Sequence, residues 1–147
     1  MHNDLIKFYK TEAQNNTNMY SLNEKGTILD DLGNITGAIS YYDKALALNP
    51  EYINALTNKG IALYKLGNIT GAISYYDKAL ALNPYNTNVL DNKGIALYKL
   101  GNITGAISYF DQALSLNPND LDALKYKNIT SNDLTIPSNK IAYNNTL

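Results

Sequence analysis

Residues Gly60 to Pro84, GIALYKLGNITGAISYYDKALALNP, return at Gly94 to Pro118 with 22 of 25 positions unchanged. The second half of the stretch occurs once before, because Gly33 to Pro50 is identical to Gly67 to Pro84. The pairs Asn49-Pro50, Asn83-Pro84 and Asn117-Pro118 fix the period at 34 residues. A single globular core gives no reason for a fixed spacing of this length. A row of like units does, because each unit covers its apolar face with its neighbours. The chain of 147 residues is therefore read as a solenoid, not as one domain around one core.

Each unit spells a helix hairpin. In Ile53–Asn86, residues Ala55, Leu56, Ala62, Leu63 and Leu66 recur at helical spacing, with Gly60 facing in among them. Gly67 ends that helix as a residue free to take left-handed backbone; Asn68 continues the turn, and Thr70 is placed to cap the next helix. Ala72, Tyr76, Ala79 and Leu80 then form the apolar stripe of a second helix. Asn83-Pro84 stops it, since the residue before proline disfavours helical backbone. The product is two helices of about 13 residues joined by a short turn. Gly60, Gly94, Ala72, Ala79, Ala106 and Ala113 are small enough to let helices approach closely. Tyr76 and Phe110 share one equivalent position, so the ring matters there more than the hydroxyl.

The pattern Leu56-x-x-Lys59-Gly60, then Ala72-x-x-x-Tyr76-x-x-Ala79, then Pro84 resembles the tetratricopeptide repeat. The resemblance covers Met19 to Asp120 and implies an all-α fold, a right-handed α-solenoid of stacked helix-turn-helix hairpins. Leu22, Leu56 and Leu90 stand where that family often has Trp, and Lys25, Lys59 and Lys93 stand where Leu is usual. The lysine stems are expected to pack between helices while the ammonium reaches water. The repeats divide the chain into 19–52, 53–86 and 87–120. Residues 1–18 are either a degenerate half-repeat, with Leu5 and Phe8 in phase with Ile39 and Tyr42, or a frayed helix followed by a polar linker. Residues 121–129, with Leu121, Ala123, Leu124 and Tyr126 in phase, read as a terminal helix covering the third unit. Asn128 stands there in place of the packing glycine, and 130–147 read as a loosely ordered polar tail in which Leu134, Ile136 and Ile141 are available to dock.

Composition removes several classes of function. The formal net charge is −1 and all 12 cationic residues are Lys, so neither a nucleic-acid footprint nor a bidentate arginine grip is present. With no cysteine there is no disulfide, thiolate metal site or cysteine nucleophile. Met1–Lys10 does not resemble a signal peptide, and no apolar run is long enough to span a bilayer. A cytoplasmic protein without membrane contact is the expectation.

Catalytic and metal-binding candidates are sparse. His2, the single histidine, lies near a terminus. Asp43, Asp77 and Asp111 recur one repeat apart, not as the facing pair that acid–base work needs, and read as a solvated helix face. Ser40, Ser74 and Ser108 lack a base in pattern. The Gly-Asn-Ile-Thr-Gly turns join helix to helix, with no strand before them and no lysine after, so they are not phosphate loops. No His/Cys cluster or calcium-type loop appears. No enzyme, cofactor or metal site is expected. The sequons at Asn34, Asn68, Asn102, Asn128, Asn15 and Asn144 are attributed to turn and cap chemistry or to chance, not to glycosylation.

What remains is a face of the first helices opposite their packed stripe. It carries Tyr20, Asn23, Thr27, Asp30 and Asp31 in the first unit, and Asn54, Thr57, Asn58, Ile61, Tyr64 and Lys65 in the second. The third supplies Asn88, Asp91, Asn92, Ile95, Tyr98 and Lys99, and the terminal helix Asp122 and Lys125. The resemblance implies that first helices line a concave groove, in which these side chains form ladders suited to an extended or helical segment of a protein partner. Exposed Ile61, Ile95, Tyr64 and Tyr98 are expected to supply apolar area. The carboxylate clamp by which some members of the family hold chaperone tails does not carry over. Its basic positions fall at Asn23, Thr27, Asp91 and Ile95, none cationic, and only Asn58 and Asn92 match its amides. The expected function is a non-enzymatic protein-interaction module. The alternatives are a homo-oligomer built through terminal helices and the targeting region of a larger enzyme or complex.

Overall fold

The structure, a computed structural model, describes residues 18–135. Among the described residues there are seven α-helices and no strand: α1 Met19–Asp31, α2 Ile35–Leu48, α3 Ile53–Lys65, α4 Ile69–Leu82, α5 Thr87–Lys99, α6 Ile103–Leu116 and α7 Leu121–Thr135. His2, the half-repeat at Leu5 and Phe8, and the docking of Ile136 and Ile141 lie outside the described residues. The helix expected to stop near Ile129 runs on to Thr135.

The hairpin turns owe their shape to two glycines and an asparagine. Gly33, Gly67 and Gly101 adopt positive φ of 81–82°, a region costly for any residue with a Cβ. The next residue, not the threonine expected to do so, caps the second helix. The Oδ1 atoms of Asn34, Asn68 and Asn102 accept the backbone N–H of Gly37, Gly71 and Gly105, each at 3.0 Å. A Cβ on Gly71 would lie 2.7 Å from the Asn68 side chain, so the second glycine of the motif makes room for the cap. Thr70 is already the second residue of the helix, whereas Asn68 stands at the N-cap, from which its side chain reaches forward to the first-turn amides. At the other end, Asn49, Asn83 and Asn117 leave the helix in extended backbone ahead of proline.

Within each hairpin one aromatic ring lies on one glycine. A Cβ on Gly26, Gly60 or Gly94 would stand 2.4, 2.5 or 2.6 Å from the ring of Tyr42, Tyr76 or Phe110. All three rings are buried, flanked by Ala38 and Ala45, Ala72 and Ala79, and Ala106 and Ala113. Ala55, Leu56 and Ala62 pack as the helical spacing implies, but Leu66 is half-exposed because it is the C-cap of α3 and points past the last packed turn.

Neighbouring hairpins are joined by a lysine. Lys59 Nζ pairs with Asp43 of the preceding hairpin, donates to Tyr75 Oη at 2.7 Å and sits 4.4 Å from that ring's centroid. Lys93 repeats the arrangement with Asp77 and with Tyr109, 2.5 Å away, and Lys127 of α7 pairs with Asp111 at 2.6 Å. The ammonium groups of Lys59 and Lys93 therefore do not run out to water; their side chains are only 12% exposed. Asp43, Asp77 and Asp111 are exposed, as a solvated helix face implies, but each is also the partner of a lysine. Burial alone would lower the pKa of Lys59 and Lys93, but the aspartate and the tyrosine hydroxyl outweigh it and the net direction is up.

α7 occupies the place of a fourth first helix. Ala123 is buried, Tyr126 stacks on Phe110 with centroids 6.0 Å apart, and Thr130 is buried with its hydroxyl donating to the carbonyl oxygens of Tyr126 and Lys127. Leu121 and Leu124, expected to pack, are exposed. Leu56 and Leu90, the counterparts of Leu124, are covered by the second helix of their own hairpin and by the unit that follows, and among the described residues nothing follows α7.

Two stability measurements check this packing. Gly60→Ala drives a methyl into a ring that has nowhere to swing, and is expected to lower the urea midpoint by an amount equivalent to about 1–3 kcal/mol with little change in m-value. Lys59→Ala, which removes both the stem and the pair, is expected to cost about 2 kcal/mol, and Lys59→Met less than half of that, because the stem's packing survives.

Candidate binding groove

First helices touch one another along the row: α1 meets α3, α3 meets α5 and α5 meets α7. Second helices make no such contact. The row therefore closes towards its first helices, and their shared face is the concave one. A depression of about 460 Å³ lies there. It is lined by Asn23, Asn54, Thr57, Asn58, Ile61, Asn86, Asn88, Asp91, Asn92, Ile95 and Asp122.

Ten of these residues were singled out in the sequence, and Asn86 was not. It precedes α5 as its N-cap, with Oδ1 accepting the Val89 N–H at 3.3 Å, so its helical phase gave no signal. The other residues of the expected face lie outside the depression. Tyr20 is exposed and meets Tyr52 edge-on at 5.4 Å. Thr27 donates to the carbonyl oxygen of Asn23. Asp31, Lys65, Lys99 and Lys125 are exposed, and Lys125 lies over the Tyr126 ring at 5.3 Å.

Several side chains expected to be free are held by the protein itself. Asn58 Nδ2 donates to Asn23 Oδ1 at 3.0 Å, and Lys65 Nζ pairs with Asp30 Oδ2 at 2.7 Å. Tyr98 Oη donates to Asp133 Oδ2 at 2.6 Å, a contact that raises the phenol's pKa. Each of these pairs is 35 residues apart, one more than the period. The offset joins a residue on one first helix to the next position along on the following one. Ile61, Ile95, Tyr64 and Tyr98 are half-buried and pack against the core, so they offer less apolar area than their phase suggested.

Asp91 departs furthest from expectation. It lines the depression yet is only 6% exposed, and its Oδ1 has no hydrogen-bond partner. The cause is a break in the ladder. Asn23 is met by the Asn58 amide, whereas the residue 35 beyond Asp91 is Tyr126, whose ring is committed to Phe110. Asp120 stands nearby instead, its Oδ1 accepting the backbone N–H groups of Asp122 and Ala123 at 3.2 Å. Burial first, then Asp120 and Asp122, push the Asp91 carboxyl up to about 7. Among the described residues no group of carboxylates, histidines or cysteines is arranged to hold a metal ion, and no helix is long and apolar enough to cross a membrane.

A family model described as tetratricopeptide repeat matches residues 23–87, and a second with the same description matches 87–120. The chain belongs to the tetratricopeptide repeat family. Solved tetratricopeptide domains share its fold. The first such domain of Spaghetti (RPAP3), bound to the HSP90 peptide SRMEEVD, is 27% identical over 80% of this chain and 96% of that one, with a TM-score of 0.78. The first tetratricopeptide domain of human RPAP3 is 26% identical over 88% and 97%, with a TM-score of 0.77. The domain of Arabidopsis OM64 is 22% identical over 78% and 95%, with a TM-score of 0.76. No curated protein sequence matches the chain.

The raised Asp91 pKa has a signed consequence. The folded protein holds this proton more tightly than the unfolded chain, so the group makes stability fall as pH rises from near 3.8 to about 7 and leaves it level above. The advantage of Asp91→Asn over the wild type in urea denaturation is expected to be larger at pH 8 than at pH 5.

Proposed function

We propose that this tetratricopeptide repeat protein is a non-enzymatic interaction module that holds a segment of a partner protein in its concave groove. One observation carries the reading: a continuous depression crosses α1, α3, α5 and the start of α7, lined by Asn54, Asn58, Asn88 and Asn92. Side-chain amides both donate and accept, which suits the main chain of an extended segment, and the flanks of Ile61 and Ile95 add apolar contact. The Spaghetti domain, similar in fold and 27% identical, is bound to a peptide, which supports a peptide-holding role here. The work assigned to the groove is recognition, with the chemistry left to partners.

Asn54 and Asn88 are exposed, so bulk added there blocks the groove without entering the core. The double variant Asn54→Tyr, Asn88→Tyr is expected to keep the wild-type melting curve and to lose at least ~10-fold in affinity for partners captured from the source organism's lysate. Tyr85→Ser, at an exposed ring in the linker before α5, is expected to leave capture unchanged. Full capture by the blocked variant would place the binding surface elsewhere.

A second reading, self-assembly, is favoured by α7, whose Leu121, Leu124, Ile129 and Leu134 are exposed. It requires a sedimentation coefficient that rises with concentration, and Leu124→Lys should abolish that rise.

A further inference from the structure

The charge inside the groove is one-sided. Its lining holds two carboxylates, Asp91 and Asp122, and no cation. Lys65 is turned away to Asp30, and Lys93 and Lys127 are bound to Asp77 and Asp111. The amides of α3 and α5 are neutral, so nothing lining the depression balances the acids. This alone describes a solvated acidic patch.

Asp91 makes it more than that. A carboxylate oxygen buried without a partner is costly, and native proteins rarely leave one so. Along the same row Asn23 receives an amide from the next first helix, and the equivalent donor for Asp91 is missing. Asp120 partners Asp91 only through a shared proton: its own Oδ1 is bound to the N-terminal amides of α7, a protonated Asp91 can hydrogen-bond its carboxylate, and once that proton is lost the two anions repel. The ionised site, with Asp91 Oδ1 still unpartnered, therefore lacks a hydrogen-bond donor and a positive charge together. A protonated amine or a guanidinium supplies both, with donors enough for Asp91 and a neighbouring carboxylate at once.

We propose that the groove binds a basic segment of a partner protein, with one lysine or arginine side chain of that segment reaching the unpaired Asp91 oxygen between Asp120 and Asp122. The proposal rests on the reading of the groove as a binding surface and adds the chemistry of what it takes. The peptide's main chain lies along the asparagines, and its cation fixes the register at the α5–α7 end. This polarity is opposite to that of the SRMEEVD complex of the similar Spaghetti domain, whose peptide ends in acidic residues around a valine. Where that peptide brings carboxylates, this groove already holds them.

The test begins with the full chain, immobilised and panned against a random peptide library displayed on phage. Recovered peptides are expected to share a Lys or Arg at one aligned position. In a synthetic version, replacing that residue by norleucine should weaken binding to the wild type at least ~10-fold. Asp91→Asn, which removes an unpaired buried charge and so keeps the fold, should weaken the parent peptide similarly and leave the norleucine peptide unaffected. Such coupling is expected only if the two groups meet. The peptide SRMEEVD should not bind. Peptides that lack a shared cation, or tolerate norleucine, but are blocked by Asn54→Tyr, Asn88→Tyr would overturn this inference and leave the groove standing. No recovered peptides, or peptides indifferent to the blocked variant, would overturn both.

Discussion

Everything in this molecule hangs on a ring laid on a glycine. Tyr42 on Gly26, Tyr76 on Gly60 and Phe110 on Gly94 set the distance between the two helices of each hairpin, and no side chain fits between them. Because the second helix presses so closely at that level, the alanines one turn to either side must also be small, and they are. The substitution of Phe for Tyr at one of the three places shows that volume and flatness are what the site requires. At Asn128 of α7, one period beyond Gly94, the glycine is gone and the side chain is exposed. Among the described residues no second helix follows to press a ring there, so the constraint is absent together with its cause.

The contacts between hairpins are chemically different from those within them. Inside a hairpin the contact is apolar and intolerant of volume. Between hairpins a lysine stem fills the gap and its ammonium is gripped by an aspartate of one unit and a tyrosine of the next. A leucine there would fill the same space, but the ion pair adds direction, tying each second helix to the first helix of the following unit. The link recurs at Lys127, which is how α7 comes to lie in register with the first helices and to complete the groove's far wall. The feature that looked least like the family pattern is thus the one that holds the units in line.

The period and the two helices of each unit were legible in the sequence, since exact repetition with glycine, alanine and proline at fixed places admits few other structures. The cap was misassigned because threonine and asparagine both cap helices, and only the backbone of the turn decides which faces the first free amides. The face of the first helices left out of the packing was legible from phase, and its placement on the concave side came from the family resemblance. The state of its side chains was not legible, because the pairs Asn23–Asn58, Asp30–Lys65 and Tyr98–Asp133 join neighbours 35 apart, and a repeat of 34 hides an offset of one. Asp91 was hidden for the same reason: its unpartnered oxygen reflects the absence of a donor on another helix, which no property of α5 reveals.

The near-identity of the units sharpens the meaning of their differences. Residues 35–48 and 69–82 are the same, and 103–116 depart from them only at Phe110, Gln112 and Ser115, so the second helices are set by stacking. Variation gathers in the first helices and in the linkers. Asn23, Thr57 and Asp91 occupy one position and are three different residues, each lining the depression. The first takes an amide from its neighbour, the second turns its hydroxyl to the carbonyl oxygen of Ile53, and the third is left with an open oxygen. A position under no demand but stacking would repeat as faithfully as Gly60 or Ala72 does. That this one differs at every step, and ends in a buried carboxylate with an unpartnered oxygen, makes it the position on which the proposed selectivity of the groove rests.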